Sequence, residues 1–108
     1  MTATLPQPIT NYFTADAADG TSVVHCFTDD AVVKDEGHTH IGHEAIQQWK
    51  EEAVAKYDYV CEPLSSEQHE GKVIVTCRLT GNFPGSPADL RFRFVLEGDR
   101  IASLEIAP

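Results

Sequence analysis

The stretch Phe27-Thr28-Asp29-Asp30-Ala31-Val32-Val33-Lys34-Asp35-Glu36-Gly37-His38-Thr39-His40-Ile41-Gly42 decides how the rest of the chain is read. Residues 31–35 are rich in β-branched side chains and suit a short strand. Glu36-Gly37 is a turn, and residues 38–41 are the partner strand of a small hairpin. Asp29-Asp30 ends a preceding helix, and a long amphipathic helix follows directly. Two acids and two histidines therefore share one polar loop between apolar elements, and chemistry is expected there.

Upstream, Pro8 suits a first helical position, where its missing N–H costs nothing, and Ile9, Tyr12, Phe13 and Ala17 follow at helical spacing. Asp19-Gly20-Thr21-Ser22 breaks that helix and offers N-caps to a short second one, whose apolar face holds Val23, Val24 and Phe27. Downstream, residues 44–57 form the longest helix. Ile46, Trp49, Ala53 and Tyr57 line one face, while Gln47, Lys50, Glu51 and the Glu52/Lys56 pair stay outside.

Everything after that helix alternates. Apolar runs at 59–64, 73–83, 90–96 and 100–106 are separated by Glu70-Gly71-Lys72, Pro84-Gly85-Ser86-Pro87 and Glu97-Gly98-Asp99, which predicts a four-stranded antiparallel meander. In its third strand Leu90, Phe92, Phe94 and Leu96 share one face, and Arg91, Arg93, Val95 and Glu97 the other. Helices first and strands afterwards predict a single α+β domain over residues 1–108, with three helices on one side of a curved antiparallel sheet.

At 108 residues the chain can bury roughly two thirds of its unfolded surface, so it folds without metal or disulfide staples. No run approaches the ~20 apolar residues of a membrane span. Residues 1–8 have neither a basic region nor an apolar core, which reads as no secretory leader and a cytoplasmic protein. Cys26, Cys61 and Cys77 stand far apart in apolar segments and read as reduced, buried thiols. A formal charge of −9 argues against nucleic acid as a partner, because phosphate binding needs clustered Lys and Arg.

The order helix, helix, short strand, helix, meander resembles the nuclear transport factor 2-like superfamily, in its SnoaL-like and ketosteroid isomerase-like branch. The residues that carry the resemblance are Tyr12-Phe13, the segment Phe27 to Asp35, Gly42-His43-Glu44-Ala45-Ile46, and Leu96 to Ile106. The resemblance implies a cone-shaped fold whose open end is a pocket. It also implies that Asp35 corresponds to the carboxylate that shuttles a proton beside a carbonyl. Tyr12 corresponds to the phenol that hydrogen-bonds the developing oxyanion, given a one-residue deletion before Asp19. The second, protonated acid of those isomerases falls near Leu90 or Arg91, so half of that oxyanion hole has no counterpart here. The fold hosts isomerases, cyclases, hydrolases, dehydratases and simple binders.

Independently of family, a carboxylate at the end of a short strand, among Tyr12, Trp49, Phe92 and Phe94, loses hydration, and desolvation raises a carboxyl pKa. His38 lies three residues on, across a tight turn, and can act as a second proton carrier. Asp35 and His38 then form an acid–base pair; alternatively, Asp35 only satisfies the amides of the Glu36-Gly37 turn. Tyr12 is either an assisting phenol or core. Trp49, Phe13, Phe92, Phe94 and His40 are expected as ligand-pocket walls.

Two further classes stay open. His38 and His40 share a strand face and, with Glu44, could hold a metal, although Glu44 begins a helix. A carrier or sensor would use the same pocket without proton transfer. No nucleotide motif, phosphate loop or nucleophilic triad is present, so no organic cofactor is expected. Pairing of two copies is expected through the outer sheet face of Ile74, Thr76, Arg78, Arg91, Arg93 and Val95.

Overall fold

In the computed structural model, which describes residues 5–18 and 21–108, nine elements follow in order. They are helix α1 (Gln7–Ala18), a 3-10 helix (Thr21–Cys26), β1 (Phe27–Asp35), β2 (His38–Ile41), helix α2 (Gly42–Lys56), β3 (Tyr59–His69), β4 (Lys72–Gly81), β5 (Ala88–Glu97) and β6 (Arg100–Ala107). Two hairpins turn on the same dipeptide. Glu36 and Gly37 (φ 52° and 78°) join β1 to β2, and Glu70 and Gly71 (φ 53° and 78°) join β3 to β4. Positive φ at both central residues gives a two-residue loop whose twist matches that of the strands, and glycine meets half of that demand without strain.

The six strands form one sheet in the order β2-β1-β6-β5-β4-β3. Strands β3 to β6 make the expected antiparallel meander. The sheet is not antiparallel throughout, because β1 runs parallel to β6. Alternation in a sequence reveals a strand and its faces but not its neighbour, and these two are joined by the whole intervening chain. Curvature has local causes. The β3–β4 register slips between Pro63 and Ser65, and the β5–β6 register slips between Val95 and Leu96. Each slip leaves one residue unopposed, which bends and twists the strand that carries it. Pro63 is tolerated because β3 is an edge strand.

The N-terminal half holds two α-helices and not three. The segment expected as a second helix is a single 3-10 helix of six residues, and β1 begins immediately after it at Phe27. Val23 and Val24 are stiff at χ1, and six residues are too few to offset helix nucleation, so the tighter form suffices to bury them. Asp29 and Asp30 accordingly lie inside β1. The break expected at Asp19-Gly20 lies outside the described residues.

Both α-helices cover one face of the sheet. Ile9, Tyr12, Phe27, Val33, Ile46, Phe94, Ile101 and Leu104 are almost completely buried between the layers. Among the described residues no helix is long and apolar enough to cross a membrane.

Candidate active site

Between the helices and the sheet lies a cavity of about 340 Å³, within the range of small-molecule sites. It is lined by Asp35, His38 and His40 of the β1–β2 hairpin, Tyr12 and Asp16 of α1, and Trp49 and Lys50 of α2. Leu79, Leu90, Phe92 and Ile106 supply apolar wall from the sheet, and Tyr57 and Phe83, in edge-to-face contact at 6.0 Å, also line it.

Asp35 ends β1 and is the register partner of His38 across the hairpin. Residues directly opposed in such a pair hold their Cβ atoms on one face, roughly 5 Å apart, so the tight Glu36-Gly37 turn is what brings acid and imidazole together. The carboxylate has a fixed orientation: Trp49 Nε1 donates to Asp35 Oδ2 at 3.0 Å. The His40 ring lies against Trp49, with centroids 6.0 Å apart.

Against the Trp49 ring lies a charged cluster that reading along the chain misplaces. Lys50, expected in solvent, is only 4% exposed. Its ammonium donates to Asp16 Oδ1 at 2.6 Å and to the Tyr59 hydroxyl at 3.1 Å, and Tyr59 in turn donates to Asp16 Oδ1 at 3.1 Å. The Lys50 Nζ also lies 4.7 Å from the Trp49 ring centroid and 5.4 Å from that of Tyr12, near enough for cation–π attraction.

Helical spacing accounts for the burial. Ile46, Trp49, Lys50 and Ala53 fall at i, i+3, i+4 and i+7, so Lys50 belongs to the buried stripe, and Asp16 continues the Ile9, Tyr12, Phe13 stripe of α1. Opposite charges on two inward stripes are complementary.

Burial opposes charge on Lys50, but Tyr12, Asp16 and Tyr59 around it overcome that and raise its pKa above the ordinary lysine value. Burial pushes the Tyr12 phenol well above the usual tyrosine range and raises that of Tyr59. At neutral pH the cluster is therefore an ammonium among protonated phenols. The Tyr12 hydroxyl is fully buried and, among the described residues, has no hydrogen-bond partner.

Of the residues expected at a site, the structure brings Tyr12, Asp35, His38, His40, Trp49 and Phe92 to one cavity. Phe13 and Phe94 are not among its lining residues. They pack at 5.9 Å from each other and at 5.2 and 5.7 Å from Tyr12, in an aromatic cluster behind the cavity wall. Phe94 faces inward like Phe92, but farther along β5, where the helices already cover the sheet.

His43 turns away and bonds the Phe27 carbonyl oxygen at 2.9 Å. Among the described residues no group of three or more His, Cys, Asp or Glu is disposed around a metal position. The cysteines are closer than their spacing suggests: a hydrogen bond with Cys61 raises the Cys77 thiol, with burial adding to it, and Cys61 lines the cavity.

Comparison with known proteins gives a consistent picture. The model of the SnoaL-like domain family matches residues 9–104. A candidate polyketide cyclase from Sinorhizobium meliloti is 42% identical, with a TM-score of 0.90 over 94% of each chain. A protein of ketosteroid isomerase-like fold from Catenulispora acidiphila, solved with trimethylamine, is 19% identical, with a TM-score of 0.83 over 97% of this chain and 87% of that one. The epoxide hydrolase/cyclase-like enzyme SalBIII of salinomycin pyran-ring formation is 17% identical, with a TM-score of 0.79 over 93% and 86%. The last two likenesses bear on the fold alone. No curated protein matches the chain.

Proposed function

The chain belongs to the SnoaL-like domain family, and on that premise we propose that it is a cofactor-independent proton-transfer enzyme, an isomerase, cyclase or dehydratase, acting on a small to medium apolar carbonyl compound. The observation that carries this reading is Asp35 held by Trp49 Nε1 at 3.0 Å in the wall of a largely apolar cavity. An oriented carboxylate beside apolar wall is suited to take a proton from carbon, because a substrate held there is sheltered from water. His38 stands ready as a second proton carrier. The candidate polyketide cyclase at 42% identity supports a cyclisation, in which a carbanion formed by proton abstraction attacks a second carbonyl of the same molecule.

The test is deuterium exchange. A panel of apolar ketones, with phenylacetone as the first member, is incubated with the protein in D₂O, and loss of the α-proton signal is followed by NMR. The wild type accelerates exchange, and Asp35→Asn loses ~10²–10⁴ of that acceleration, the usual contribution of a general base. Equal exchange by both proteins rules out Asp35. Binding of the ketones without any exchange assigns the cavity to a carrier.

A pairing of two copies through the outer face of the sheet is part of the same proposal. That face sets Ile74 and Val95 among Arg78, Arg91 and Arg93, and a twofold contact there is self-complementary.

A further inference from the structure

We propose that the outer face of the sheet, turned away from the cavity, carries a binding hollow for a doubly charged oxyanion of the phosphate type, held by Lys34, Lys72 and Arg93 around the Ser103 hydroxyl. The hollow encloses about 300 Å³. It stands independently of the proton-transfer reading of Asp35.

Register builds it. Strands β1 and β5 flank β6, so Lys34 and Arg93 both oppose Glu105, and Val32 and Val95 both oppose Ser103. Neighbouring strands stand about 4.8 Å apart, which roots Lys34 and Arg93 roughly 10 Å from each other. Alternation sets these residues on the face opposite the buried Val33, Phe94 and Leu104. Val73 pairs with Phe94, so Lys72, one residue earlier, comes up beside Val95 and closes a third side. The short side chains of Val32, Ser103 and Val95 are thus walled by long cationic ones, and the sheet is hollowed there.

Charge supplies the second support. The chain has 8 lysines and arginines against 17 acids, yet three of those cations line this one hollow. Among the described residues none of the three forms an ion pair; the pairs are His43 with Asp29, Lys50 with Asp16 and Arg78 with Asp89. Glu105 also lines the hollow and is opposed to two of the cations without engaging either. Three positive charges against one negative leave an excess that a dianion matches, and like charges held close repel until one arrives. Two ammonium groups and a guanidinium converge from three sides above a hydroxyl. A tetrahedral oxyanion, with acceptors in every direction, uses all of these donors. Val32 and Val95 give the organic part of a phosphate ester an apolar surface to lie on.

The hollow shares Arg93 and Val95 with the face proposed for pairing. A twofold contact there brings two sets of unpaired cations together, and an anion in each hollow lessens their repulsion. Phosphate is therefore expected to favour the dimer.

The probes are inorganic phosphate and phenyl phosphate, titrated calorimetrically into the full chain at pH 8 and low salt. Both should bind the wild type. Arg93→Met should weaken binding about tenfold, the loss of one charge-assisted contact. Glu105→Gln should tighten it roughly threefold, because a screened negative charge is removed. Arg100→Met takes one positive charge from the β5–β6 turn, outside the hollow, and should leave binding unchanged. Tighter binding of phenyl phosphate assigns the hollow to an ester, and equal binding assigns it to free phosphate. Failure of both probes to bind, equal weakening by Arg93→Met and Arg100→Met, or weaker binding after Glu105→Gln overturns the proposal. Sedimentation separates this site from the pairing: a monomer that binds phosphate keeps the hollow and removes the dimer, whereas a dimer that binds neither probe does the reverse.

Discussion

Lys50 and Asp16 are nearly inaccessible, with side-chain exposures of 5% and 6%, and the desolvation of such a pair makes it a poor source of stability. Removing one partner is a different matter, because it strands the other. Lys50→Met alone is expected to cost about 3–5 kcal/mol, whereas Asp16→Leu/Lys50→Met should fall within about 1 kcal/mol of the wild type or above it. Urea unfolding of the three proteins checks this, and a single variant as stable as the wild type would contradict the burial. The pH dependence has a definite sign. Lys50, Tyr12 and Tyr59 all hold their protons more tightly when folded than their ordinary values of 10.5, 10.0 and 10.0. Above about pH 10 the unfolded chain therefore releases protons that the folded one keeps, and stability falls as pH rises. Urea midpoints at pH 8 and pH 11 should show the fall, and Tyr12→Phe should reduce it. At this scale the sequence was half legible. Asp35, His38 and Trp49 were recognisable because a two-residue turn and a helical stripe fix them locally. Lys50 is concealed by its residue type, since a charged side chain suggests solvent while its position on the helical stripe buries it.

Among the elements, the end of β4 bears most directly on the site. A Cβ at Gly81 would meet the Asp58 carbonyl oxygen at 2.3 Å and Tyr59 Cα at 2.8 Å, against backbone that cannot easily retreat. The same junction is pinned by Asn82, whose Oδ1 accepts from the Asp58 N–H at 2.9 Å, and by Ser86 Oγ, which accepts from the Gly81 N–H at 2.8 Å. Gly81→Ala should destabilise by about 1–3 kcal/mol or more, as overpacking does, and should displace Tyr59 from Asp16 and Lys50. Thermal melting reads the first effect and a crystal structure of the variant the second; a variant with wild-type stability would show that the approach relaxes freely. The hairpins and the long helix were evident from glycines and period. The 3-10 segment was not, since a six-residue apolar run is compatible with either helix type. The polar residues Ser65 to His69 concealed the second half of β3, because one edge of an exposed hairpin needs no apolar pattern.

For the molecule as a whole, the helix-then-meander order was enough to identify the layers, while the parallel β1–β6 contact that joins the two ends was hidden, since pairing between distant segments leaves no mark in either one. The outer sheet face belongs to this scale. Analytical ultracentrifugation is expected to show a dimer, and Ile74→Glu/Val95→Glu a folded monomer; a wild-type monomer at high concentration would remove the pairing. Against a net charge of −9 the arginines of that face stand out; Arg78 is already paired with Asp89 through bonds of 2.9 and 3.3 Å, which leaves Arg91 and Arg93 to meet the second copy. The claim that unites residue, element and molecule is that Asp35, oriented by Trp49, takes a proton from a ligand held in the cavity. A crystal structure with the ketone that exchanges fastest tests it most directly. The ketone should lie in the cavity with its α-carbon against the Asp35 carboxylate, and Trp49 Nε1 should still donate to that carboxylate. A ketone bound outside the cavity, or one whose α-carbon is out of reach of Asp35, would contradict the account.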